Sequence, residues 1–362
     1  MYVISIFTIN VKARNIKMGK VIDATGWQEL QWYNTGGTRA KKFLSSPQDV
    51  TYFFKKSDRK YPFEFWSEII ASGLGSLLEL DVLNYDIALY NGELGCISQN
   101  MLKTQKQELV EGGKIMQAFD TAFQPDDKKL RHKYTFQLIE NTLQAYQLES
   151  HIYKIFEMMI FDLLIGNSDR HQENWAFIGD YSLLSQSIRE IEYAAKTPLE
   201  FANLPKWIQG LVSFIKKHTG DEGLLQVKLA LHKNITFAPI YDNGSSLCRE
   251  CTHEKVVHML KNKIEFEAYI KRGLSEIHWE ESKITHVEII KKLLNTEYKL
   301  QINTIIDKII RLYSHEKFSS FMESFDNEAP DELYGEVKLP KERKELITNA
   351  VSLRAQKLKE LL

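Results

Sequence analysis

The sequence predicts an α+β fold, with a β-rich portion over residues 1–102 and a mostly helical portion over residues 103–362. Three observations carry this. Short aromatic and β-branched runs between positions 20 and 60 read as strands. Beyond Tyr134, apolar residues recur at the i, i+3, i+4, i+7 spacing of helices with one buried face. Within the helical portion lies a dense polar stretch, Gly166-Asn167-Ser168-Asp169-Arg170-His171-Gln172-Glu173-Asn174, at the end of one such helix.

Taken in order, Met1 to Val11 is apolar and alternating, which reads as a strand or a disordered leader. It is too short to span a bilayer and has neither a basic n-region nor a small-residue cleavage site. Val21 to Ala24, Gln28 to Tyr33 and Val50 to Phe54 read as strands, and Asn34-Thr35-Gly36-Gly37-Thr38 as a turn. Pro62 to Leu78 reads as a helix whose apolar face is Phe65, Ile69, Ile70, Leu74, Leu77 and Leu78. Asp81 to Ala88 and Gly92 to Asn100 read as two strands, with Asn91-Gly92 as the hairpin signal between them.

Lys103 to Lys129 is polar, with Gly112-Gly113 and Pro125-Asp126-Asp127 as breakers, and predicts loops and a short helix. Tyr134 to Leu148 predicts a helix. A second follows on Ile152, Ile155, Phe156, Met159, Ile160, Leu163 and Leu164, ending where Gly166 and Asn167 tolerate positive φ. Residues 179–234 form an insertion with amphipathic segments at Ser182 to Phe201 and Lys206 to His218, read as packing or as a partner platform. The remainder is helical, with stripes at Ile302, Ile305, Ile306, Ile309, Ile310 and Tyr313 and at Leu346, Ile347, Ala350, Val351 and Leu358. Phe325 to Pro340 is the linker between them.

The polar stretch after the Ile152 helix is where chemistry concentrates. Asp169 can accept a proton or position a hydroxyl, and Asn174 offers a neutral oxygen to a metal. The order resembles a kinase catalytic loop, in which an aspartate orients the attacking hydroxyl and a later asparagine helps hold magnesium. The alternative is a polar loop with Asp169 capping the next turn. Ala238-Pro239-Ile240-Tyr241-Asp242-Asn243-Gly244 reads as a short apolar strand ending in an exposed acid and a glycine turn. Phosphoryl transfer needs a second metal ligand across from the asparagine, and an Asp-x-Gly turn after a strand supplies one in kinases.

These two stretches, with Leu164-Ile165 before the first and Ser245-Ser246-Leu247 after the second, resemble the HipA-like kinases, bacterial serine/threonine kinases of two-lobed fold. The resemblance runs from the Gly-Gly-Thr near position 36 to the helix after Ile284 and is closest to the compact members with an Asp-Asn-Gly loop. It implies a two-lobed protein-kinase-like fold, β-rich N-lobe and helical C-lobe, using ATP and Mg2+. Asp169 would orient the attacking hydroxyl and accept its proton, His171 would brace the loop, and Asn174 and Asp242 would be the metal ligands. Gly36, Gly37 and Thr38, with Arg39, would lie over the nucleotide phosphates. Tyr52-Phe53-Phe54-Lys55 would carry the phosphate lysine, with Lys56 its competitor. Glu68 matches the family pattern as its partner better than Glu64. Backbone groups around Gln99 to Leu102 would meet the adenine. Leu247 to Ile277 would be the activation segment, with Lys271 and Arg272 as a solvated helix end or an acidic-group contact. The family includes toxin–antitoxin kinases that autophosphorylate and effectors delivered to host cells. It implies a protein substrate, an antitoxin-like or host partner, and a location in the bacterial cytoplasm or a host cell.

Composition bounds the alternatives. Hydrophobic residues at 43% and charged residues at 26% suit a globular chain with a large core, and a formal net charge of −1 gives no electrostatic case for nucleic acid or an anionic membrane. Three cysteines make no disulfide framework, and Cys248-x-x-Cys251 has no second pair to complete a zinc set. A phosphatidylinositol-type lipid kinase shares a looser form of the Asp-Arg-His-x-x-Asn loop, but predicts a dense basic surface that this sequence lacks. A catalytically silent, kinase-shaped binding module is the third reading; the intact set of acids argues against it.

Overall fold

The computed structural model describes residues 21–30, 41–104, 107–180, 235–327, 329 and 338–362. The Met1 to Val11 strand, the Gly36-Gly37-Thr38 turn and both amphipathic segments of the 179–234 insertion lie outside those residues.

The first portion is a twisted sheet. Strands β1 (Val21–Asp23), β2 (Gln28–Glu29), β3 (Lys41–Ser45) and β4 (Thr51–Lys55) precede helix α1 (Glu64–Leu77), and β5 (Asp86–Tyr90) and β6 (Glu93–Gln99) follow it. The six strands lie in the order β1-β5-β6-β4-β3-β2, with β1–β5 parallel and the other pairs antiparallel. The Asn91-Gly92 signal is borne out: φ is 50° at Asn91 and 77° at Gly92, the left-handed pair a tight hairpin needs. β3 is an additional strand. It runs antiparallel to β4, with Lys41 directly opposite Lys55. The Asp81 to Ala88 strand starts later than expected, at Asp86. Val82 instead makes an isolated parallel bridge to Ile240, which ties the sheet to the second polar loop.

Helix α1 is buried from Glu64 to Gly75. Its polar residues Glu64, Ser67 and Glu68 are therefore buried too, each with a partner: Arg249, the Ser246 carbonyl and Lys55. Two glycines permit this burial. A Cβ on Gly73 would stand 2.3 Å from the Phe321 ring, and one on Gly75 2.4 Å from Val82.

Beyond residue 102 the chain is not purely helical. Strand β7 (Gln107–Glu111) runs straight into α2 (Gly112–Phe119); a short helix was expected in this stretch, the strand was not. Gly112 and Gly113 open this helix rather than break a chain. Their N–H groups donate to the carbonyls of Trp175 (2.9 Å) and Gln172 (2.8 Å), so two donors of the helix N-terminus are satisfied by the polar loop. A 3-10 turn (Lys128–Lys133), α3 (Phe136–Ala145) and α4 (Ile152–Ile165) follow. α4 is buried on every face from Ile155 to Ile165, not along one stripe. Its Glu157 is accommodated by Lys154 (2.8 Å) and Lys308 (3.2 Å). Strands β8 (Ala176–Asp180) and β9 (Thr236–Phe237) complete a second, three-stranded sheet in the order β7-β8-β9.

Helices α5 (His253–Lys261), α6 (Lys263–Lys271), α7 (His286–Leu293), α8 (Lys299–Leu312), α9 (His315–Ser324) and α10 (Lys341–Lys359) close the chain. Ile302, Ile305, Ile306 and Ile309 of α8 and Leu346, Ile347, Ala350, Val351 and Leu358 of α10 are buried, as their spacing predicts. Among the described residues no helix is long and apolar enough to cross a membrane. Cys96, Cys248 and Cys251 are buried free thiols.

Candidate active site

The polar loop is positioned from beneath by α4. Gly166 ends that helix at φ 67°, and a Cβ there would stand 2.2 Å from the Arg354 guanidinium. Both the backbone angle and the space therefore require glycine. The chain turns back over Asp162. This buried carboxylate accepts from Asn167 Nδ2 (3.1 Å) and from Arg170 through Nε (2.9 Å) and Nη2 (2.9 Å).

Arg170, 1% exposed, joins the two polar loops. Its Nη1 donates to the backbone carbonyls of Asn174 (2.8 Å) and Tyr241, and its Nη2 to Asn243 Oδ1 (2.6 Å). Burial opposes its charge, but Asp162 beside it prevails and holds the guanidinium above its ordinary pKa. One side chain thus fixes the spacing between stretches about seventy residues apart in sequence, a separation of 73 for its bond to Asn243.

Above this staple the predicted residues meet. Lys55, Asp169, His171, Asn174 and Asp242 line one solvent-open cleft between the six-stranded sheet and the polar loops. Lys55 Nζ donates to Glu68 Oε1 (2.7 Å) and to Asp242 Oδ1 (2.9 Å). Glu68 also accepts from the Asn243 N–H through Oε2 (2.8 Å). Burial alone would depress the Lys55 ammonium, but Asp242 and Glu68 outweigh it and hold its pKa well above the usual value. Lys56 points outward to an exposed pairing with Glu93 (2.5 Å). Glu64 pairs with Arg249 (2.8 Å), leaving Glu68 as the acid on Lys55. Asp242 is not the exposed acid its turn suggested: its side chain is 13% exposed, with Lys41 on its second oxygen at 3.5 Å.

Asp169 is held by its N–H, which donates to Asn167 Oδ1 (3.1 Å), and its Oδ2 accepts from Ser245 Oγ (3.0 Å). Asn174 donates through Nδ2 to the Asp169 carbonyl (2.8 Å), which leaves its amide oxygen as the atom that could meet a metal. His171 Nδ1 accepts from the Glu173 N–H (3.3 Å), a local bracing contact. Leu83, Met101 and Leu109 pack with Tyr241 into an apolar cluster that also borders the cleft and suits a planar base. Gly36, Gly37 and Thr38, the predicted phosphate turn, lie outside the described residues.

The donor set fits a magnesium nucleotide. One carboxylate and one amide oxygen, with a lysine held by two acids, is a sparse oxygen set of the kind that leaves Mg2+ positions for waters and phosphates. Asn174 and Asp242 could hold the metal, and Lys55 the phosphates.

Arg170, Lys41, Asn243 and Ser245 went unread as site residues in the sequence. Asn243 and Ser245 flank the Asp242 turn, so proximity was the available signal. Arg170 could have been found as a cation between two candidate ligands with an acid eight residues upstream.

His286 lies behind the loop, hydrogen-bonded to the Asn167 backbone. Burial, aided by Arg354, pushes its pKa from 6.5 down to about 3. The folded chain therefore resists a proton that the unfolded chain accepts below pH 6.5. Stability from this group is intact above that pH and is lost as pH falls, by about 2 kcal/mol between pH 8 and pH 5. Urea unfolding at both values should show a loss that His286→Leu reduces by that amount; an equal loss in both proteins would remove the linkage.

The sequence matches no family model and no curated protein. Among solved structures the chain is similar to the proinflammatory kinase CtkA of Helicobacter pylori, at 16% identity over 94% of this chain and 96% of that one, with a TM-score of 0.67. It is also similar to HipA in the Shewanella oneidensis complex of HipA, HipB and operator DNA, at 9% identity over 92% of this chain and 67% of that one, with a TM-score of 0.44. The first likeness is one of fold: the chain has a two-lobed, kinase-like α+β architecture.

Proposed function

We propose that this chain is an ATP- and Mg2+-dependent kinase of HipA-like type that phosphorylates a serine or threonine hydroxyl of a protein. The observation that carries the reading is the bridge from Lys55 to both Glu68 and Asp242 in the cleft that also holds Asp169 and Asn174. Residues 1–102 act as the nucleotide lobe and residues 103–362 as the catalytic lobe. On this reading Gly36, Gly37 and Thr38 would meet the phosphates.

In the reaction, the Asp169 carboxylate accepts a hydrogen bond from the acceptor hydroxyl and takes its proton as the new oxygen–phosphorus bond forms. Ser245 holds the outer oxygen of that carboxylate and so sets its rotamer. Glu68 aims Lys55, which draws charge from the phosphates as the leaving oxygen departs. Asn174 and Asp242 would hold the metal, which when bound would supply positive charge against the phosphate oxygens. His171 braces the loop. The fold relationship to a kinase described as proinflammatory suits an effector role, and a HipA-like toxin role implies an antitoxin-like partner. Either places the protein in the bacterial cytoplasm or in a host cell.

The test is incubation of the purified chain with γ-labelled ATP and Mg2+, followed by phosphoamino-acid analysis. Label on serine or threonine of the chain itself, or of a co-purifying protein, is the expected result. ATP binding without ADP production would favour a silent binding module, and label on vesicle lipid alone would favour a lipid kinase; either removes the proposal.

A further inference from the structure

We infer that Lys41 is a second phosphate-binding lysine of the cleft, resting on the metal-ligand carboxylate until a polyphosphate draws it away. This rests on the kinase reading of the same site.

The geometry begins with register. Lys41 and Lys55 are directly opposite one another on antiparallel β3 and β4, so both side chains leave the same face of the sheet. Lys42, one residue on, faces the other way, pairing with Glu29 (3.2 Å) and lying over the Tyr90 ring. Of the two consecutive lysines, only Lys41 reaches the cleft.

Like charges directly opposite on neighbouring strands destabilise a sheet. Here both ammoniums converge on Asp242: Lys55 on Oδ1 at 2.9 Å and Lys41 on Oδ2 at 3.5 Å. Glu68 is a second carboxylate on Lys55, and Glu111, which also lines the cleft, lies within electrostatic reach of Lys41. That arrangement holds only while Asp242 faces the lysines. A divalent cation on Asp242 would claim the same oxygens and leave Lys41 without its ion-pair carboxylate. The ligand class that would replace that carboxylate is a polyphosphate. Lys55 stays braced by Glu68 at 2.7 Å, whereas Lys41 is held at the long edge of hydrogen-bond distance and is the group able to move. Its side chain is 17% exposed, so the hold is sheltered enough from water to matter and loose enough to exchange.

Two features follow. Metal and nucleotide bind together, because the phosphates remove the cations that mask the metal ligand. The triphosphate, carrying the most negative charge, gains most from Lys41.

The experiment titrates ATP, ADP and adenosine into the full chain at fixed Mg2+, comparing wild type with Lys41→Met and Lys41→Arg, with a thermal melt of each. Lys41→Met should raise the Kd for ATP about ten- to a hundredfold, the loss of one charge-assisted contact. ADP should suffer less, adenosine should be unaffected, and Lys41→Arg should keep most of the affinity. A folded Lys41→Met protein with wild-type ATP affinity would show that Lys41 is only an ion-pair partner of Asp242. A measurement on the wild type covers a variant that does not fold. ATP, but not adenosine, should protect Lys41 from an amine-acylating reagent, read by mass spectrometry; equal labelling with both overturns the inference. A wild-type chain that binds no ATP removes the kinase reading and the lysine's role together, an outcome distinct from tight binding that ignores position 41.

Discussion

Replacing Asp169 with alanine is expected to slow phosphoryl transfer by about a thousandfold, within the range for loss of a positioned acid–base group. The carboxylate stands at the cleft with Ser245 Oγ on its outer oxygen, while the backbone around it is held independently by Asn167 and by Asn174. The loop therefore keeps its course without the side chain. Nucleotide affinity should change little, because Lys55, Asn174 and Asp242 remain. Asp169→Asn separates the two roles of the group, keeping a hydrogen-bond acceptor while removing the base, and should be nearly as slow. Initial rates with γ-labelled ATP, beside a melt and an ATP titration, measure all three. A rate within tenfold of wild type in a folded Asp169→Ala protein would take the proton-accepting role away from this residue.

Arg170→Met is expected to cost about 3–5 kcal/mol of folding stability, the usual consequence of removing one member of a buried ion pair. The change strands the Asp162 carboxylate, 2% exposed, and leaves the carbonyls of Asn174 and Tyr241 without their donor. It also unties the two polar loops, so transfer should fall with stability. Combining Arg170→Met with Asp162→Leu should recover part of the loss, since the uncompensated charge is gone while the unmet carbonyls remain. Urea unfolding of the four proteins gives the coupling. A cost below about 1 kcal/mol for the single change would mean that the pair is not the tie described here.

The loops that carry chemistry were legible because their signals are local. Gly166 ends a helix at positive φ and Asn91-Gly92 makes a tight hairpin as their residue types require. Lys55 was favoured over Lys56 because one step along a strand reverses the face, and the two ion pairs of Lys55 decide between them. What escaped the sequence depends on distant partners. Asp242 reads as an exposed turn acid because the lysines that cover it lie 187 and 201 residues earlier. β3 went unread because Lys41-Lys42-Phe43-Leu44-Ser45 opens with two charges, and only the cleft explains why one of them turns inward. β7, and the start of the short helix after it, were hidden for a similar reason. Gly112-Gly113 is a breaker in isolation, but its two N–H groups dock on the carbonyls of Trp175 and Gln172. Arg170 looked like a spacer between two candidates, although its five donors organise both.

The close seat of α1 against Phe321 and Val82 makes Gly73 and Gly75 a remote gauge for the lysine pair. The same helix carries Glu68, so any side chain that wedges the helix outward also drags that carboxylate off Lys55. Random mutagenesis selected for lost activity should then recover lesions at these two positions, away from the ligand. Their hallmark would be a slackened grip on phosphate in a protein that still folds, an allele class that a map of cleft contacts would never nominate.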